Sequence, residues 1–132
     1  MKLGSGYDLI WVGSVITHLN APPIQRLLET LTTSMKSGGR LFFSTHGDHP
    51  ASMMKNGQDY GLDRGVLPKV VASYQQTGFG YADYPTSTGY GISLTSEAWL
   101  KELITTIPGL RFASHLTRGW SDHQDLVYCI RE

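Results

Sequence analysis

The chain has 132 residues, 40% of them hydrophobic and 17% charged. That suits one globular domain rather than a disordered tract, and a chain of this size buries roughly 65–70% of its unfolded surface. Lysine plus arginine equal aspartate plus glutamate, 11 against 11, so the chain has no general attraction to nucleic acid or to an anionic membrane.

Residues 1–6 read as a short flexible lead. Tyr7 to Gly13, YDLIWVG, places four large apolar residues in a row without polar alternation. That pattern predicts a strand buried on both faces, as in a parallel sheet. Asn20-Ala21-Pro22-Pro23 starts a helix, with Asn20 as its cap. Ile24, Leu27, Leu28, Leu31 and Met35 recur at helical spacing, and Gly38-Gly39 is expected to stop the helix. Arg40 to Thr45 is a second buried strand. Strand, helix and strand within about 40 residues predict a right-handed βαβ unit.

Residues 47–68 lack periodicity and read as an irregular insertion, with a short helix around Ala51 to Lys55. Val66 to Gln76 predicts a helix with Val70, Val71 and Tyr74 inward. The segment GFGYADYPTSTGY, Gly78 to Tyr90, suggests a loop or short hairpin before a strand at Ile92 to Leu94. Thr95 or Ser96 caps a helix with Trp99, Leu100, Leu103, Ile104 and Ile107 on its apolar face. Arg111 to Thr117 and Asp125 to Arg131 close the chain as two strands. No internal repeat or linker interrupts residues 1–132, which read as a single domain.

The lone cysteine, Cys129, lies in an apolar run and reads as a buried, inert thiol. An intracellular, cytoplasmic setting follows from that cysteine usage. The early apolar run Leu9 to Val12 is far too short to span a membrane.

YDLIWVGSVITHL, a helix, and then MKSGGRLFFSTHG resemble the later half of class I S-adenosylmethionine-dependent methyltransferases. The matching pieces are Tyr7-Asp8-Leu9-Ile10, His18-Leu19, and Met35 to Leu41 around Gly38-Gly39. The closing helix, strand and antiparallel hairpin fit as well, so the resemblance runs from about Tyr7 to the end. It implies an α/β fold: a partial Rossmann-like sheet of about four main strands. Their expected order is first, second, last, penultimate, with the last antiparallel.

The resemblance also implies S-adenosylmethionine as cofactor and a small-molecule methyl acceptor, with Ser14, Val15 and His18 beside the cofactor. The family's glycine-rich loop and ribose-binding acid precede this region. Only six residues stand before Tyr7, and Gly78 to Gly91 does not lie between a buried strand and a helix. The expectation is a truncated methyltransferase-like domain, inactive alone, that forms a homo-oligomer (most simply a dimer) or joins a missing N-terminal half. The alternative is a non-catalytic α/β module acting by association.

Other side chains carry chemistry. His46 ends the second strand, and an imidazole there suits a general base near neutral pH. Tyr81, Tyr84, Tyr90, Trp120, His123 and Gln124 form an aromatic and polar set. Such a set suits the wall of a substrate pocket, or a lid packed on the sheet end. His46, Asp48 and His49 include metal-ligand types, but one short loop without a fourth partner predicts no metal site. Val12-Gly13-Ser14-Val15 lacks the second glycine of a hydrolase nucleophile elbow.

Overall fold

The computed structural model describes residues 2–132. Its main sheet has four strands in the order β1-β2-β6-β5. These are β1 (Tyr7–Val12), β2 (Met35–Thr45), β5 (Leu110–Trp120) and β6 (Gln124–Arg131). β1 and β2 are parallel, and β6 is antiparallel to both its neighbours. The order and the antiparallel last strand are those expected from the sequence, and β1 lies at the sheet edge.

Helix α1 (Ala21–Ser34) connects β1 to β2. Asn20 caps it, its side chain accepting from the Ala21 amide at 2.8 Å. The helix stops at Ser34, before the glycine pair expected to end it. Thr30, Thr32, Thr33 and Ser34 all turn their hydroxyls back onto carbonyls of the preceding turn. Such residues hold the last turn weakly, and Met35 is already extended. The glycines have a different task. Gly38 turns at φ +77°, and a Cβ on Gly39 would stand 3.0 Å from the Tyr7 carbonyl. Register slips here, from Tyr7–Met35 to Leu9–Arg40.

Helix α4 (Glu97–Thr105) begins where Ser96 accepts from the Trp99 amide at 3.1 Å. One core joins Ile24, Leu28 and Leu31 of α1, Leu41 and Phe43 of β2, Val127 and Cys129 of β6, and Leu100 and Ile104 of α4. Burial pushes the Cys129 thiol up to about 12, as its inert reading requires.

The insertion is more ordered than expected. Helix α2 (Asp48–Lys55) starts directly after β2 and is followed by a short 3-10 turn, Arg64–Val66. Helix α3 (Leu67–Thr77) buries Leu67, Val70, Val71 and Tyr74. Strands β3 (Phe79–Asp83) and β4 (Gly91–Thr95) pair as an antiparallel hairpin. These elements share a second core around Met54, Leu62, Ile92 and Leu94. The Thr95 amide donates to the His46 carbonyl at 2.8 Å and the Ser93 hydroxyl to the Ile16 carbonyl at 2.8 Å. Those bonds seat the hairpin against the ends of β1 and β2.

The other face of the sheet is bare by comparison. Trp11, Phe42 and Tyr128 are register partners across three strands, and the Phe42 and Tyr128 rings stack at 4.6 Å. Leu9 is 58% exposed, Trp11 48% and Leu116 59%. None of these side chains belongs to either core.

Phe43 is fully buried in the main core. Phe43→Ala should cost about 3–5 kcal/mol through lost burial and a residual cavity. Urea unfolding of the two proteins measures the difference.

Candidate functional site

Open α/β sheets bind ligands outside the carboxyl ends of their strands. Here that crest is formed by the residues after β1, the end of β2, and the turn between β5 and β6. Its backbone is unusual. Ser14, Tyr60, Arg118, Ser121 and Asp122 all have positive φ, from 52° to 56°. Non-glycine residues adopt that region rarely, at a cost of about 1–3 kcal/mol each. Five such residues around one crest require local bonds to hold them.

The bonds are present. The Ser14 amide donates to the Ser44 hydroxyl at 2.9 Å, and the Gln124 amide nitrogen donates to the Ser14 hydroxyl at 3.0 Å. This network ties the ends of β1, β2 and β6 together. The turn carrying His123 is fixed by Arg118, whose amide donates to Asp125 at 2.9 Å and whose guanidinium reaches Asp122 at 3.0 Å. Gly47 packs against the Asp125 carboxylate where any Cβ would collide.

Sequence-predicted residues fall into two groups on this crest. In the first, His18 Nδ1 lies 2.9 Å from the Gly91 carbonyl and 3.0 Å from the Tyr84 hydroxyl. Tyr90 stacks on the same imidazole at 4.9 Å. The hairpin therefore closes over His18. Val15 remains 44% exposed. Tyr81 stands apart: its hydroxyl donates to Asp83 on the hairpin at 2.6 Å.

The second group surrounds His46, which is only 5% exposed. Tyr60 and His123 approach its ring at 5.3 and 5.9 Å, and His49 lies 5.2 Å from His123. Tyr60 and His123 are hydrogen-bonded, hydroxyl to Nε2, at 3.1 Å. Desolvation, then the nearby His123 and His18, pushes His46 down to about 4, with the Ser93 backbone and Asp125 opposing. Burial, His49 and Arg118 also hold His123 below the ordinary imidazole range. His46 Nδ1, Gln124 Oε1, Thr17 Oγ1, Thr45 Oγ1 and Thr95 Oγ1 are buried without a hydrogen-bond partner. So many unmet polar atoms around one crest mark it as a place for water or ligand. Trp120 borders the crest on the β1 side, edge-on to Trp11 at 5.2 Å.

Two features escape the sequence. Tyr60 sits in the segment without periodicity, so nothing local points to it. The His115–Asp125 pair, 3.0 Å apart and almost fully buried, joins residues from adjacent strands that only the register brings together. The Asp125 hydrogen bond raises His115 despite its burial. Among the described residues no group of three or more histidine, cysteine, aspartate or glutamate side chains is arranged to hold a metal ion. No helix among them is long and apolar enough to cross a membrane.

No family model matches the chain, and no curated protein sequence matches it. Solved structures do. An O-methyltransferase family 2 protein from Planctomyces limnophilus, in complex with apigenin, is 16% identical with a TM-score of 0.56, over 95% of this chain and 31% of its own. A SAM-dependent methyltransferase from Methanosarcina mazei is 14% identical with a TM-score of 0.56, over 97% of this chain and 60% of its own. Magnesium protoporphyrin IX methyltransferase from Synechocystis, with bound SAH, is 15% identical with a TM-score of 0.57, over 99% of this chain and 48% of its own. The fold is thus similar to methyltransferase folds. The chain spans about a third of the length of the first of these structures.

Of the three shifted imidazoles, His46 and His115 give opposite pH effects. His46 binds its proton less readily folded than unfolded, so its contribution is present above about pH 6.5 and is lost as pH falls toward 4. Its full span is on the order of 3 kcal/mol. His115 is raised, so its contribution is present below the ordinary imidazole pKa and is lost as pH rises through its folded value. Denaturant unfolding across pH should show His46→Gln flattening the acid side and His115→Gln flattening the other.

Proposed function

We propose that this chain is the C-terminal half of a class I S-adenosylmethionine-dependent methyltransferase domain acting on a small molecule. The observation that carries the reading is the sheet: β1, β2, β6 and β5 in that order, β6 antiparallel. It is supported by the likeness to methyltransferases of greater length.

The crest fits one wall of the cofactor. Val15 offers an exposed apolar surface, and Ser14 is held by Ser44 and Gln124. His18 is fixed by the hairpin. These residues contain no carboxylate for ribose hydroxyls and no glycine-rich turn, so the rest of the cofactor needs another segment. When bound, the cofactor supplies an electrophilic methyl group on sulfur. This chain's residues would do the remaining work: position the acceptor, exclude water and remove its proton. Tyr90, Trp120, His123 and Gln124 would line the acceptor side, with Tyr81 at its hairpin margin. His46, neutral at physiological pH but buried, suits a supporting part beneath the acceptor better than direct contact. The buried thiol of Cys129 fits a reducing, cytoplasmic setting.

Magnitudes decide between occupants for the bare face and the β1 edge. Tyr7, Leu9, Trp11, Val15 and Leu116 are each 44–59% exposed. Burying them adds about 1 kcal/mol apiece, or about 5 kcal/mol together. Free association costs about 4–15 kcal/mol, so these contacts alone make a weak homodimer. A tethered segment meets a far smaller cost. The remainder of a methyltransferase fold is therefore the better occupant. A homodimer across β1 and α1 is the second reading, favoured by an edge without proline or lysine within it.

The chain alone should show no micromolar binding of S-adenosylhomocysteine in calorimetry. A longer version that restores the preceding strands should bind. Tight binding by the isolated chain would contradict the half-domain reading. Light scattering at high micromolar concentration separates the occupants: a stable dimer would favour self-association.

A further inference from the structure

We propose that His115 and Asp125 form a proton-operated clasp on the turn between β5 and β6. With His115 charged, the turn is held against the end of β1; with His115 neutral, it loosens. The clasp goes beyond the methyltransferase reading and does not rest on it, since every group in it belongs to this chain.

The turn needs a clasp because the strand ladder does not hold it. Leu116 pairs with Leu126 and Trp120 with Gln124, and the register breaks between them. Asp125 therefore stands opposite the three residues 117–119. Arg118, in the middle of that bulge, has φ +56°. A bulge leaves backbone groups unpaired, and here the Asp125 side chain takes the place of a ladder bond. One carboxylate oxygen accepts from the Arg118 amide at 2.9 Å, and the other lies 3.0 Å from His115 Nε2. The Asp125 side chain is only 4% exposed and that of His115 7%. A carboxylate buried so deeply is strongly destabilised when its counterion is removed.

The groups facing His115 come from four other elements, and they are mostly acids. Besides Asp125 of β6, Glu97 of α4 lies 3.9 Å from Nδ1, and Asp48 of α2 adds its field. Tyr74 of α3 lines the same small cavity and donates its hydroxyl to Asp48. Exposed Lys101 pairs with Glu97, and the Arg118 guanidinium is turned to Asp122. Burial first, then His123 and His18, pushes His46 of β2 down to about 4, so it stays neutral where His115 titrates. The Asp125 contact raises His115 above its ordinary range despite burial. Whichever nitrogen loses its proton, the lone pair left there faces a carboxylate: Glu97 from Nδ1, Asp125 from Nε2. Neither tautomer avoids the repulsion.

Release has room and a consequence. A cavity of about 250 Å³ lies beside the pair, with Ser96 and Thr117 in its lining. It gives the freed carboxylate space to move and water to meet. Gln124 immediately precedes Asp125 and donates to Ser14 at 3.0 Å, and His123 bonds Tyr60 at 3.1 Å. A loosened turn therefore frees the end of β1 and one wall of the crest together. Rising pH opens the crest, and falling pH closes it.

NMR of the chain from about pH 5 to 9 tests the clasp without any variant. The His115 ring signals report its own titration. At that midpoint the Arg118 amide protection factor, corrected for the intrinsic pH dependence of exchange, should fall about tenfold or more. The Gln124 side-chain amide should shift with it, while the Phe43 amide in β2 keeps its protection, which separates the clasp from global loss of stability. Glu97→Gln removes one facing carboxylate from an exposed position, so both midpoints should move down together. His115→Gln cannot be charged and should remove the step. Arg118 and Gln124 signals that stay flat while His115 titrates overturn the clasp. So does a His115 ring that does not titrate in that range.

Discussion

β1 hydrogen-bonds to β2 on one side only, although its sequence is that of a strand buried on both sides. An unpaired edge exposes backbone donors and acceptors, and a bare apolar face adds an unfavourable contact with water. Ile10 and Val12 on one face pack against the main core. Leu9 and Trp11 on the other do not. The sheet is thus covered where α1 and α4 close over β2 and β6, and bare where the other face of β1 turns outward. This one-sidedness bears on the crest as well, because the residues after β1 form part of it.

The crest itself is organised by desolvation. Burial holds two of its imidazoles, His46 and His123, below the ordinary range, helped by His123 and His18 in the first case and by His49 and Arg118 in the second. A third, His115, is held in the opposite sense by Asp125. Asp125 also bonds the Arg118 amide and packs on Gly47. It therefore joins His115 to the turn that presents His123. The insertion closes the arrangement from above: α2 supplies His49, the following loop Tyr60, and the hairpin Tyr84 and Tyr90. A segment with no periodicity in sequence thus becomes the roof of the site, because its second core gives it a rigid base.

Much of this is legible in the residues. The run Leu9 to Val12, the spacing of Ile24, Leu28 and Leu31, and the polar turn before Asp125 predict the βαβ unit and the closing hairpin. Periodicity reports burial, and Ile24, Leu28 and Leu31 are buried as their spacing predicts. Leu9 to Val12 form the expected strand but are not buried on both faces, because β1 is an edge strand with one bare face. The end of α1 differs from expectation because Gly38-Gly39 is a strong stop signal, whereas the Thr and Ser back-bonds that weaken the last turn leave a fainter one. His46 and His123 stand out in sequence as chemical side chains, and the structure brings them together. Composition groups Tyr81 with them, yet its partner is Asp83. Tyr60 and His115 escape the sequence for a common reason: their neighbours lie far away along the chain, and only strand register and insertion packing bring them close.

Hydrogen exchange on the isolated chain tests the one-sided sheet most directly. At a dilution where scattering reports a monomer, the β1 amides that do not face β2 should exchange near the free rate. Those of β2 and β6 should be strongly protected. Uniform protection of every β1 amide to the level of β2 in the monomer would mean that the edge is already covered, and would contradict the account.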